Sequence, residues 1–167
     1  MPKLYCYSHS NFRRKLEAEQ WNDENLPLDS AFICIGCTPE CQEYCGPSFA
    51  LFDTFDLNNS HSNVLQVRFD DIDSQTVVAE DSNVAGRFYT ITGVTDAQAK
   101  IIVDFIDNNI GKDFYIHCNA GKSRSQAVVR YILDAYRNME WELNPDNMNV
   151  TWNNFVYKKL INAKFDN

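Results

Sequence analysis

The sequence has no apolar run long enough to cross a bilayer, and Met1 to Lys15 hold no uninterrupted apolar core of the kind a secretory signal requires. A soluble, cytoplasmic protein without a membrane span is the expectation. Basic charge is also scarce: 15 Lys and Arg against 23 Asp and Glu give a formal net charge of −8 at pH 7. A field of that sign repels nucleic acid and anionic lipid at long range, which excludes broad binding to either and requires any phosphate site to be local. Internal repeats and low-complexity linkers are absent as well. What the 167 residues do supply is 44% hydrophobic and 13% aromatic content, enough for one core, so residues 1–167 are read as a single domain.

Six cysteines are present, and in a reducing compartment they point to free thiols, metal ligands or a catalytic thiol rather than to disulfides. Four of them, Cys34, Cys37, Cys41 and Cys45, lie close enough in sequence to raise a thiolate zinc site, with His9 or His61 as extra ligands. The spacing is unusual for structural zinc, and Cys34 sits in an apolar strand where a buried thiol is ordinary. A resolving thiol that forms a reversible disulfide is the other role open to a cysteine of this group.

Patterning predicts alternating helices and strands. Residues 11–20, with Phe12 and Leu16, read as a short amphipathic helix ending before the turn at 22–27. Ala31 to Gly36 and Val64 to Phe69 read as strands, the second running into the carboxylates Asp70, Asp71 and Asp73. Thr95 and Gln98 form a capping box, after which Ala97, Ile101, Ile102, Phe105 and Ile106 recur at helical spacing up to Asn108, Asn109 and Gly111. Phe114 to Ile116 is a further strand. From Ser123 a helix with Ala127, Val128, Tyr131, Ile132, Ala135 and Tyr136 on one face runs to about Met139. A turn at Asn144-Pro145-Asp146 precedes a last helix with Trp152, Phe155, Val156, Leu160 and Ile161 facing inward. Residues 74–93 are polar and poorly patterned, suggesting a lid, a binding loop or a surface excursion. The class is α/β, with a central, mostly parallel sheet flanked by helices.

The most informative stretch is His117-Cys118-Asn119-Ala120-Gly121-Lys122-Ser123-Arg124-Ser125, between a strand and a helix. A loop in that setting aims backbone N–H groups and the positive end of a helix at one point, as a phosphate dianion requires. Gly121 and the small Ala120 permit the tight path. The helix terminus and Arg124 favour Cys118 as a thiolate, and Arg124 can grip two phosphate oxygens bidentately. Asn119, Ala120, Gly121, Lys122 and Ser123 supply the rest of the phosphate-binding set. A nucleotide-type P-loop needs a Gly where Ile116 stands, which sets that reading aside.

These residues resemble the signature of the protein tyrosine phosphatase superfamily: a His-Cys pair, five residues, then Arg followed by Ser or Thr. The resemblance implies that Cys118 is the nucleophile of a phosphocysteine mechanism, Arg124 the phosphoryl ligand, Ser125 the hydrogen-bond donor to sulfur, and His117 a residue that holds the loop and tunes the thiol. It also implies a general acid on a separate loop. Phe69-Asp70-Asp71-Ile72 is similar to the corresponding run of short tyrosine-phosphatase-like proteins of bacteria and bacteriophages, which favours Asp71, with Asp70, Asp73 and Asp81 as alternates. The length and the position of Cys118 fit the compact dual-specificity branch, which needs no metal or other cofactor.

The expected partner is a phosphorylated protein or a small phosphorylated substrate. Lys122 either points to solvent or, as in lipid-phosphatase relatives, suits a multiply phosphorylated substrate. Two other classes stay open: a catalytically weak phosphate- or nucleotide-binding module, and a rhodanese-type sulfur carrier, which the acidic strand end and capped helix fit less well.

Overall fold

Seven strands and five helices follow one another in the computed structural model, which describes residues 1–45, 61–144 and 151–165. They are β1 (Lys3–Ser8), α1 (His9–Glu19), β2 (Ser30–Gly36), α2 (Pro39–Cys45), β3 (Val64–Arg68), β4 (Thr76–Glu80), β5 (Phe88–Thr92), α3 (Asp96–Asn109), β6 (Asp113–Cys118), α4 (Arg124–Ala135), β7 (Glu142–Leu143) and α5 (Asn154–Phe165). The main sheet has the order β3-β2-β6-β1-β7, with every pairing parallel. The expected mixed α/β architecture, a mostly parallel sheet flanked by helices, is thus the one observed.

A parallel sheet is covered on both faces, and β2 shows why its sequence reads as a continuous apolar run: all seven of its residues are buried. Alternation divides them. Ile33 and Ile35 join Leu4, Cys6, Phe114 and Ile116 in the core under α3, α4 and α5, whereas Phe32 and Cys34 join Tyr115 under Phe12 and Leu16 of α1. Helices on opposite faces leave the carboxyl ends of the central strands open between them, the usual position for a site in such sheets. Ser8 lies beside Cys118 and Gly36 beside Arg68 in the strand register, so β1, β2, β3 and β6 all finish at this edge.

Local signals explain the element ends. Ser8 caps α1 by accepting from the Asn11 N–H, and Gln20 closes that helix in the left-handed conformation at φ 58°. The Thr95 capping box forms as expected, and the Gln98 amide also donates to the Arg68 carbonyl at 2.7 Å, tying α3 to the end of β3.

Several expectations need correction. Strand β1 is additional to the expected elements: Leu4 and Cys6 alternate with Tyr5 and Tyr7, and two half-buried tyrosines conceal the period. Helix α2 and the two-residue β7 are likewise additional. Residues 74–93 are not a plain polar loop: they form the antiparallel hairpin β4–β5, mostly exposed and so lacking the apolar alternation that reveals a half-buried strand. In α3 the buried stripe is Ala99, Ile102, Val103 and Ile106, with Ala97 and Ile101 facing solvent. Helix α4 ends at Ala135 rather than near Met139, and Trp152 precedes α5. Pro145 and Asp146 of the expected turn lie outside the described residues.

The α3 stripe sets a contrast between neighbours of equal size. Ile102, fully buried, should cost about 2–5 kcal/mol when truncated to Ala, whereas Ile101, 51% exposed, should cost less than about 1 kcal/mol, both read from urea unfolding.

Candidate active site

Strand β6 ends on Cys118 and α4 starts at Arg124, so the five residues between them must turn the chain over the sheet edge. Gly121 makes this possible. Its φ is +69°, and an added Cβ would lie 2.5 Å from the Ser8 nitrogen and 2.6 Å from the Tyr7 carbonyl carbon, so the loop rests directly on the end of β1.

The loop carbonyls have specific partners. The Asn119 oxygen accepts from the His9 backbone N–H at 3.1 Å, and the Gly121 oxygen accepts from the Gln126 amide at 3.1 Å and from the Cys6 thiol at 3.6 Å. Among the described residues no peptide bond is cis. In a trans peptide the N–H opposes the C=O, so the N–H groups of Ala120 and Lys122 point away from these partners. The Gly121 N–H itself donates to the Cys118 sulfur at 3.3 Å.

Cys118 is buried, with the Ser125 hydroxyl 3.0 Å from its sulfur. Arg124, only 5% exposed, donates through Nη1 to the Gly36 carbonyl at 3.0 Å and the Phe69 carbonyl at 2.7 Å. Its Nε is buried and has no hydrogen-bond partner among the described residues. One corner of the guanidinium is therefore an anchor, while the Nε edge remains a buried donor without an acceptor.

The candidate carboxylates separate by environment. Asp70 is buried and accepts from the Thr38 N–H and hydroxyl and from the Thr92 N–H at 2.7–2.9 Å; it binds the start of the α2 segment to the end of β5. Asp71 is exposed, and its Oδ1 accepts from the Ser123 hydroxyl at 2.6 Å and the Asn153 amide at 2.8 Å, which brings it to the loop. Asp73 is exposed. Asp81 lies in the hairpin turn, where its carboxylate accepts from the Asn83 N–H at 2.8 Å.

His117 occupies the opposite sheet face from Cys118. Its ring stacks on Phe12 at 4.5 Å and lies 5.5 Å from that of His9. Burial, reinforced by the neighbouring His9, pushes its pKa down to about 3, so at neutral pH the imidazole adds no positive charge beside the sulfur. Burial also raises the Cys6 thiol to about 12, which keeps it protonated and able to donate to the loop. Lys122 is exposed.

Cys34 and Cys37 are buried and Cys41 is half-buried on α2; the side chain of Cys45 lies outside the described residues. His61 pairs with Asp23 at 3.0 Å and His9 packs by His117. Among the described residues no group of three or more His, Cys, Asp or Glu side chains is arranged to hold a metal. Sequence reasoning missed Asn153 and Gln126. The first carries a readable signal, an Asn immediately before an apolar helical pattern, which is an N-cap; the second is visible only once α4 packs beside Gly121.

No family model, curated protein or solved structure matches this chain. The site consists of a sulfur hydrogen-bonded to the Gly121 N–H and the Ser125 hydroxyl, a buried arginine edge, and a carboxylate held at the rim.

His117 gives this region a pH signature. Between its ordinary 6.5 and about 3 the unfolded imidazole takes up a proton that the folded one refuses, so stability falls as pH drops through that window. In His117→Gln, the slope of unfolding free energy against pH should flatten by up to about 1.4 kcal/mol per pH unit within it, measured by urea unfolding at stepped pH.

Proposed function

We propose that the chain hydrolyses phosphate monoesters through a phosphocysteine intermediate, as a compact cysteine-dependent phosphatase of the tyrosine and dual-specificity type. The observation that carries this reading is the Cys118 sulfur, which accepts from the Gly121 N–H and shares a hydrogen bond with the Ser125 hydroxyl, in the same loop as the buried guanidinium of Arg124, whose Nε has no partner among the described residues. A structural thiol needs neither feature. Donors of this kind stabilise negative charge on sulfur, and a guanidinium edge without an acceptor suits the equatorial oxygens of a phosphoryl group.

In the proposed reaction the Cys118 thiolate attacks phosphorus, forming the S–P bond as the bond from phosphorus to the ester oxygen breaks. The departing electron pair stays on that oxygen, which takes the proton of Asp71. In the second step the Asp71 carboxylate removes a proton from water as the water oxygen bonds to phosphorus. The S–P bond then breaks, the electron pair returns to sulfur with the Ser125 hydroxyl donating to it, and inorganic phosphate leaves. Arg124 and the loop N–H groups hold the phosphoryl oxygens throughout. Asp71 is preferred as the acid because it borders the loop, whereas Asp70 is committed to Thr38 and Thr92 and Asp81 to its turn.

Phosphate release from p-nitrophenyl phosphate tests this. Wild type should turn over and be blocked by vanadate, Cys118→Ser should lose activity to background, and Asp71→Asn should lose roughly 10²-fold or more on esters with poor leaving groups. A Cys118→Ser protein as active as wild type refutes the proposal.

A further inference from the structure

Ser123 stands at the N-cap of α4, a position where a serine hydroxyl ordinarily accepts from an N–H of the first turn, yet here it makes no capping bond. It donates instead to Oδ1 of Asp71. Asn153 converges on the same oxygen. Its amide donates to Asp71 Oδ1 at 2.8 Å and to the Ile72 carbonyl at 3.0 Å, its own Oδ1 accepts from the Val156 N–H at 3.0 Å, and its backbone N–H reaches the Ser123 carbonyl at 3.3 Å. Each polar group of this 9% exposed residue is therefore in use, and together they join the carboxylate segment, the loop and the start of α5.

We infer that Ser123 and Asn153 are positioning residues that fix Asp71 for proton transfer before substrate arrives, an inference that rests on the phosphatase reading. Lone pairs decide which oxygen carries the proton. A carboxyl oxygen has two acceptor sites, and on Oδ1 both are occupied, one by a hydroxyl and one by an amide. The proton of the acid form must then sit on Oδ2, so the two donors choose which oxygen delivers it and fix the plane of the carboxyl group. The serine also leaves the leading N–H groups of α4 uncapped, which frees them for the phosphate. One side chain thus orients the acid and clears the anion site.

Substitutions can separate this role from support of the fold. Asn153→Ser keeps an oxygen that can cap α5 but is too short to reach Asp71. Ser123→Ala removes a hydroxyl that caps nothing and bonds only the exposed Asp71, so its melting temperature should fall by no more than a few degrees. Both variants should lower kcat on phenyl phosphate about tenfold or more, and by a clearly smaller factor on p-nitrophenyl phosphate, whose leaving group depends less on protonation. In an Asp71→Asn background neither should cause further loss.

Equal losses on both esters, or losses that persist in the Asp71→Asn background, overturn the inference while leaving the phosphatase reading intact. A wild-type protein without Cys118-dependent turnover overturns both. Should Asn153→Ser fail to fold, Ser123→Ala decides the matter alone.

Discussion

The guanidinium of Arg124 is bound to the carbonyls of Gly36 and Phe69, the last residue of β2 and the residue just after β3. Much of the site depends on this fork. A buried cation must have its protons accepted, and two main-chain oxygens at the sheet edge are the acceptors that fix the first turn of α4 against the strands. Because the Nε of the same side chain has no partner among the described residues, the residue that holds helix to sheet also keeps a buried donor in reserve. Fold and candidate chemistry share one residue, which ties the geometry of the site to the packing of β2, β3 and α4.

The rest of the edge follows from that registration. Gly121 can rest on β1 because it lacks a Cβ, Gln126 on α4 reaches its carbonyl, and His9 at the start of α1 takes the Asn119 carbonyl. The loop is thus held from three elements that approach from different sides of the sheet. Its shape is a product of tertiary packing as much as of its own sequence.

Much was legible in the residues because it rests on local rules. The run from His117 to Ser125, the Thr95 and Gln98 capping box and the apolar strands β2 and β6 depend on short-range geometry and on period, both of which a sequence carries. The hairpin β4–β5 was not legible because exposed strands need no apolar alternation, and β1 was hidden because tyrosines bury their rings while their hydroxyls stay near water. Asp70 and Asp71 could not be separated by sequence, since adjacent carboxylates look alike until one is seen to bind Thr38 and Thr92 and the other to meet Ser123. The convergence of Ser123 and Asn153 on one oxygen joins positions distant in the chain and has no local signature. Among the described residues no metal cluster emerges; Cys34 turns into the core beneath α1, and the side chain of Cys45, expected beside Cys37 and Cys41, lies outside the described residues.

Asp70 also determines how the hairpin is suspended. Its carboxylate and its own N–H both engage Thr92, the final residue of β5, while the opposite end of β4–β5 meets α2 through an exposed ion pair between Arg87 and Glu43 at 3.0 Å and leaves Phe88 uncovered. An arm clamped by buried bonds at its root and steadied at its far end only by an exposed ion pair transmits little of what happens in its turn. The outer turn around Gly86 is accordingly the natural place for insertions, epitope tags or sequence drift, because length added there leaves the clamp, and the rim carboxylate next to it, where they are.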